Sequence, residues 1–128
     1  MSGLRLRRED VADDALVVVR GGELDKARLV RDATLTYRRF GEYGISVLAA
    51  PDEAALDLLA STTLQREPLL TLMRMGALRA AALEVRPTFR RPHFTIVLTD
   101  LDADLDRLRA CDNEVRDTPY YVAPEARR

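Results

Sequence analysis

The sequence predicts a single α+β domain, with an antiparallel or mixed sheet and helices packed on one face; a ferredoxin-like sandwich is one version of this fold. Its 128 residues and 47% hydrophobic composition suit one continuous core. Strand-like and helical segments alternate at first, and a candidate hairpin precedes a last helix. We therefore expect one domain over residues 1–117 and a tail containing proline and tyrosine over residues 118–128.

The first half of the chain contains two strand–helix units. A β-branched run at 15–20 with two apolar faces is typical of a central strand, and a glycine pair ends it. Residues 23–40 lack proline and glycine and predict an amphipathic helix that ends at Gly41, where glycine can take the left-handed cap conformation. Residues 43–50 predict the second strand, and Pro51 opens the second helix.

The second half is predicted to contain a hairpin and a last helix. Residues 68–83 allow two interpretations, a strand followed by a short helix or one longer helix, and we favour the first. The segments 83–86 and 93–99 predict a hairpin, because the prolines between them cannot donate ladder hydrogen bonds and so mark a connection. Residues 100–110 predict a helix with leucines on one face and acidic residues in its first turn.

Charge and hydropathy narrow the classes of function. The formal net charge is −1 and the pI is about 5.9, so no global field would hold the protein on a polyanion or an acidic membrane. Arg5, Arg7 and Arg8 are followed by acidic residues and not by an apolar segment, which predicts no signal peptide. Because no apolar run approaches the roughly 20 residues of a membrane helix, we expect a soluble protein with no membrane partner.

Cys111 is the only cysteine of the chain, and His93 is the only histidine. A lone cysteine forms no internal disulfide, which favours a reducing compartment and a cytoplasmic location. Neither a cysteine-based zinc site nor a histidine-rich metal site is expected from this composition. The protein is therefore predicted to act without a metal, and no cofactor is expected.

The segment around His93 is the strongest candidate for chemistry. Period-two alternation places Phe94, Ile96 and Leu98 on a buried face of the strand, and His93 and Thr95 side by side on the other face. A histidine can move a proton near neutral pH, and a neighbouring hydroxyl can hydrogen-bond a phosphate oxygen. We therefore predict that His93 and Thr95 are catalytic residues.

Basic and aromatic residues are predicted to bind the substrate of this site. Arginines neutralise the charge that develops on a phosphate, and a single histidine needs a further acid or base beside it. The predicted substrate-binding residues are Arg90, Arg91, Arg38, Arg39 and Tyr43. The candidates for the second acid or base are Tyr37, Tyr43, Glu42 and Glu84. For the helix arginines, a solvated surface role is the alternative.

The order of histidine, an apolar residue and threonine at 93–95 resembles the strand motif of two-histidine phosphoesterases and is similar to strands of small bacterial ribonuclease toxins. The phosphoesterase family needs a second such motif with a second histidine. This chain lacks it, so that activity is excluded. The resemblance to ribonuclease toxins implies metal-independent cleavage of RNA.

A second resemblance concerns Arg20 at a strand end and Ser46 in the strand that follows. These two residues look like the arginine and serine elements of an ADP-ribosyltransferase, although the matching catalytic glutamate motif is not visible in the sequence. The segment Arg20–Glu23 also joins a strand to a helix, where phosphate-binding loops occur. It lacks the Walker lysine and the dinucleotide glycine spacing, so a turn with a helix cap is the favoured interpretation.

As a whole the chain loosely resembles small proteins of GC-rich actinobacterial genomes, some of them encoded near toxin–antitoxin genes; Lys26 is its only lysine. Our first hypothesis is a toxin-like, metal-independent RNA-processing enzyme. The alternative is a non-catalytic interaction module, such as an antitoxin, immunity or accessory protein. The sequence leaves open whether the partner is RNA or protein, and whether the chain forms a homo-oligomer.

Overall fold

The computed structural model describes residues 11–126, and the basic start of the chain with Arg5, Arg7 and Arg8 lies outside this part. Its strands are β1 (Leu16–Arg20), β2 (Tyr43–Ala50), β3 (Leu69–Arg74), β4 (Glu84–Pro87), β5 (His93–Leu98) and β6 (Glu114–Asp117). Its helices are α1 (Lys26–Phe40), α2 (Glu53–Thr62), α3 (Met75–Ala80) and α4 (Leu101–Ala110), with a 3₁₀ turn at Pro124–Ala126.

The six strands form one sheet in the order β4-β5-β2-β1-β3-β6, and every neighbouring pair is antiparallel. The predicted α+β class with an antiparallel sheet is therefore confirmed. None of the helices in residues 11–126 is long and apolar enough to cross a membrane.

The core lies on both faces of the sheet because β1 is apolar on both sides. Val17 and Val19 face a core that α1, α3 and α4 cover, whereas Leu16 and Val18 face a second core that includes Leu56 of α2. The predicted one-sided packing thus holds for three helices, and α2 lies on the opposite face. A strand with no polar side needs cover from both directions, which one helical layer cannot supply.

Local sequence sets the helix ends. The side chains of Asp25, Asp52 and Asp100 accept hydrogen bonds from backbone N–H groups in the first turns of α1, α2 and α4. Such caps are each worth about 1 kcal/mol. The cap at Asp25 starts α1 at Lys26, three residues later than the sequence pattern predicts. Gly41 ends α1 in the left-handed conformation, with φ of 78°, as predicted.

In the second half, the strand-then-helix interpretation of residues 68–83 and the hairpin of β4 and β5 are confirmed. Strand β6 was not predicted, because its four residues Glu114–Asp117 are mostly charged and form an edge of the sheet with no apolar alternation. The described part of the C-terminal tail then contacts the middle of α2 and the loop that follows this helix, so it packs on its own domain.

Strands β1 and β2 separate halfway along their length. They pair from Leu16↔Ala50 to Val18↔Leu48, and the pairing stops there. Beyond that point β1 continues along β3, as far as Arg20↔Leu70, while β2 continues along β5. We call the gap between the separated halves the β1–β2 opening.

Candidate functional site

The β1–β2 opening holds a cavity of about 360 Å³. If the pairing of β1 and β2 continued in register, Arg20 would lie directly opposite Ser46; because the strands have parted, both residues instead line the cavity from its two sides. The cavity is lined by Val19, Arg20, Arg28, Arg31, Asp32, Ile45, Ser46 and Glu67. Three guanidinium groups thus face two carboxylates and a hydroxyl, with an excess of positive charge.

Helix α1 supplies one wall of the cavity through Arg28, Arg31 and Asp32. The Asp25 cap fixes the first turn of the helix, since its carboxylate accepts a hydrogen bond from the N–H of Arg28 at 2.9 Å. The guanidinium of Arg28 donates a long hydrogen bond of 3.4 Å from Nη2 to the carbonyl of Glu23. Its Nε is buried and has no hydrogen-bond partner among the described residues. A buried donor without an acceptor is costly, so the position of the Arg28 side chain is not explained by its own hydrogen bonds.

Gly21 explains how the Arg28 side chain reaches this position. The residue has φ of 89°, a conformation that side chains of other residues rarely adopt. A Cβ at this position would collide with the Arg28 guanidinium, which packs directly against the glycine. The glycine pair after β1 therefore does more than end a strand: its first member makes room for a cavity arginine.

Glu67 brings a carboxylate to the cavity from the loop between α2 and β3. Its N–H donates to the carbonyl of Leu64 at 3.1 Å, which closes a turn in that loop. Sequence analysis missed Glu67, because nothing in the chain near Arg20 or Ser46 points to it and only the strand order brings β3 beside β1. Glu67 thus lines the same cavity as Arg20 and Ser46, although it is distant from both in the sequence.

This arrangement is suited to a ligand with phosphates and a sugar. Arginine binds phosphate oxygens through pairs of parallel N–H groups, and three arginines can hold a diphosphate. A serine hydroxyl and carboxylates can bind sugar hydroxyl groups, and a carboxylate stabilises positive charge that develops on a sugar ring. No group of three or more His, Cys, Asp or Glu side chains within residues 11–126 could hold a metal ion.

The predicted catalytic pair lies in a second place, at the end of the β4–β5 hairpin. The hydroxyl of Thr88 lies 2.7 Å from Nδ1 of His93 and 2.9 Å from the hydroxyl of Thr95. Thr95 is only 1% exposed, so it cannot contact a phosphate directly. Its effect on His93 would act through Thr88, which the sequence analysis did not single out.

The ring of this histidine is the first of three aromatic rings that contact one another in sequence. The ring of Phe89 lies 4.9 Å from the ring of His93 and 5.5 Å from the ring of Phe40, at the end of α1. Phe89 is 39% exposed and has φ of 55°. The contact between Phe40 and Phe89 brings the end of α1 to the hairpin, and we call the exposed arginines of these two segments, together with Phe89, the basic–aromatic surface. These residues are Arg38, Arg39, Phe89, Arg90 and Arg91.

The remaining predicted residues of this site either lie far from His93 or form salt bridges with another residue. Tyr43 stacks on Tyr37 with ring centroids 4.6 Å apart, and it pairs with Leu98, at the other end of β5 from His93. Glu42 and Glu84 each accept a hydrogen bond of 2.9 Å from the guanidinium of Arg86. Both carboxylates are therefore engaged in a salt-bridge network with a largely buried arginine.

The two places are neighbours on the sheet. Ser46 pairs with Thr95 across β2 and β5, and His93 lies two residues further along β5. From ordinary strand spacing, Ser46 and His93 are about 8 Å apart. Gly44 makes room for Thr95, because a Cβ at Gly44 would lie 2.5 Å from the Thr95 methyl group.

No family model matches the sequence, and neither a curated protein nor a solved structure gives a significant match to the chain.

Proposed function

We propose that the β1–β2 opening binds a nicotinamide dinucleotide and that the protein transfers its ADP-ribosyl group to an acceptor. The observation that carries this proposal is that Arg20 and Ser46 line one cavity together with a glutamate, Glu67. The two residues that resemble the arginine and serine elements of an ADP-ribosyltransferase are thus joined by the carboxylate that the sequence resemblance lacked.

Each charged group of the cavity has a role in this proposal. The diphosphate of the dinucleotide carries two negative charges, and Arg20, Arg28 and Arg31 surround it. Ser46 binds the nicotinamide-side ribose or the carboxamide, at the side of the cavity that β2 forms.

The chemistry requires that the bond between the ribose C1′ and the nicotinamide nitrogen breaks. Nicotinamide leaves with the bonding electron pair as a neutral base, and positive charge develops on the sugar. The carboxylate of Glu67 stabilises that charge, which is an interaction made mainly in the transition state. The acceptor then forms a bond to C1′ and releases its proton, to water or to a nearby base.

The test is release of nicotinamide from the dinucleotide by the purified chain, measured by chromatography. We expect Glu67→Gln to lower kcat about a hundredfold, because an amide cannot stabilise the sugar cation. Arg20→Lys keeps the charge and loses the paired N–H groups, so KM should rise about tenfold. His93→Ala is the matched control and should turn over like the wild type. Equal rates in the wild type and in Glu67→Gln would contradict the proposal.

A second candidate is RNA cleavage at His93 by a toxin-like, metal-independent enzyme. It is favoured by the hydrogen bond between Thr88 and Nδ1 of His93, which orients the ring beside the basic–aromatic surface. Here His93 is the general acid or base, Arg90 and Arg91 stabilise charge on the phosphate, and Arg38 and Arg39 extend the binding surface. Thr95 positions His93 through Thr88.

Expression in a bacterial host tests this candidate, with growth and RNA integrity recorded for the wild type and His93→Ala. Growth arrest with RNA fragmentation in the wild type alone supports it. If both versions leave RNA intact, RNA cleavage at His93 is excluded.

A non-catalytic interaction module in the cytosol is the third candidate, favoured by apolar side chains exposed on α2 and β6. Leu58 is 63% exposed and Val115 is 45% exposed. Sedimentation of the purified chain tests the homo-oligomer form of this candidate. A dimer that Leu58→Glu dissociates supports it, and a monomer at high concentration contradicts it.

A further inference from the structure

We infer that the C-terminal segment Thr118–Val122, which we call the strap, positions Glu67 in the β1–β2 opening. Tyr120 and its contact Asp57 then become positioning residues for the transfer reaction. This inference rests on the proposed function, and it assigns a role to a segment that sequence analysis treated only as a tail.

The strap binds both ends of the short loop that carries Glu67. The N–H of Thr118 donates to the carbonyl of Pro68 at 3.0 Å, and the N–H of Val122 donates to the carbonyl of Gln65 at 2.9 Å. Pro68 and Gln65 flank Glu67 in the sequence. The backbone on either side of the glutamate is therefore fixed by hydrogen bonds from the strap.

The strap is itself fixed to the domain. The N–H of Tyr121 donates to the carbonyl of Thr118 at 3.1 Å, which folds the strap into a turn. At the tip of this turn, the hydroxyl of Tyr120 lies 3.0 and 3.1 Å from the two carboxylate oxygens of Asp57 on α2. This hydrogen bond raises the pKa of Tyr120, because the Asp57 carboxylate accepts the proton of the neutral hydroxyl. Thr118 is buried, which fixes the start of the turn.

Loss of the strap would change the position of the Glu67 carboxylate and would leave the arginines of the cavity in place. Two loop carbonyls would lose their partners and turn to water, so the loop would sample more conformations. Arg20 belongs to β1, which pairs with β3, and Arg28 belongs to α1, whose first turn is fixed by the Asp25 cap. Small displacements of a catalytic group reduce kcat strongly, whereas ligand binding by the arginines should persist.

Two truncations of the full chain separate these effects. A chain that ends after Ala123 keeps the strap and is the matched control; a chain that ends after Asp117 lacks it. We expect the control to match the full chain. The shorter chain should show kcat lowered about tenfold with KM within about twofold of the full chain.

Hydrogen exchange measured by mass spectrometry provides a readout that does not depend on activity. Amides of Arg66 and Glu67 should exchange about tenfold faster in the chain that ends after Asp117, and unchanged in the control. Unchanged exchange in both chains overturns the strap contact. Faster exchange with unaltered kcat overturns the positioning of Glu67. If the full chain releases no nicotinamide, the proposed function is overturned, and the positioning role of the strap with it. The exchange result still decides whether the strap holds the loop that carries Glu67.

A milder pair of substitutions tests the hydrogen bond between Tyr120 and Asp57. Asp57→Asn keeps a carbonyl acceptor for the Tyr120 hydroxyl and should retain most of kcat, whereas Asp57→Ala should lower kcat severalfold with KM unchanged. Equal kcat values in the two variants would overturn the role of Asp57.

Discussion

The β1–β2 opening and the end of the β4–β5 hairpin are both polar places on neighbouring strands, but they differ in how their polar groups are satisfied. At the hairpin end, Thr88 bonds both His93 and Thr95, so the polar side chains meet one another. In the opening, the Nε of Arg28 is buried without a protein acceptor, and side chains of both charge signs face a cavity. A satisfied cluster stabilises a fold, whereas an unsatisfied one is suited to bind a ligand.

The difference arises from the sheet itself. Where β4 and β5 stay paired, alternate side chains lie side by side and can bond across the ladder. Where β1 and β2 part, the side chains that would have met are held away from each other, and α1 and the α2–β3 loop supply further groups around the gap. Divergence of two strands is thus sufficient to open a cavity lined by charged residues inside an otherwise continuous sheet.

A large effect on stability should come from Gly44, where the two regions meet. A Cβ in Gly44→Ala would lie 2.5 Å from the Thr95 methyl group and would push Thr95 away from Thr88. We expect destabilisation by about 1–3 kcal/mol, measured by urea unfolding. The double variant with Thr95→Ser removes that methyl group and should recover much of the loss. If the two substitutions are additive, the packing described for Thr95 is wrong.

A matched pair of substitutions compares the two regions directly. Thr88→Val removes the hydroxyl that hydrogen-bonds the buried hydroxyl of Thr95, so it should cost about 1–3 kcal/mol of unfolding free energy. Ser46→Ala removes an exposed hydroxyl in the opening and should change stability by less than about 0.5 kcal/mol. Equal effects in denaturant titrations would remove the distinction between a structural cluster and a binding site.

The smallest effect is expected at an exposed pair outside both regions. Hydrogen bonds from Arg116 hold the pKa of Glu53 below its ordinary value. Because the folded-state pKa is lowered, the contribution to stability is present above the unfolded pKa of about 4.3 and is lost as pH falls through the folded value. The urea midpoints of the wild type and Glu53→Gln should therefore differ slightly at pH 7 and converge in acid. A difference that grows in acid would contradict the pairing.

Local pattern predicted much of the fold. Rules that act within a few residues predicted the bounds of β2 and the glycine cap at Gly41. They also predicted that His93 and Phe94 lie on opposite faces of β5. The opposite placement of α2 and the edge strand β6 did not follow. The first depends on long-range packing, and the second has no apolar periodicity to detect.

The candidate site was predictable only in parts. Arg20 and Ser46 could be singled out because each stands on a recognisable strand, but the parting of β1 and β2 depends on which neighbours each strand finds. Glu67 reaches the cavity from a loop far along the chain, so no local spacing connects it with Arg20. The hairpin residues were found more easily, because a hairpin brings residues together that are already close in sequence.

Titration of a nicotinamide dinucleotide into the protein, followed by calorimetry, tests the central claim most directly. The wild type and His93→Ala should bind with the same affinity, and Arg20→Ala should bind at least about tenfold more weakly, since it loses a phosphate contact in the opening. Undiminished binding by Arg20→Ala, together with loss of binding by His93→Ala, would contradict the assignment of the site to the β1–β2 opening.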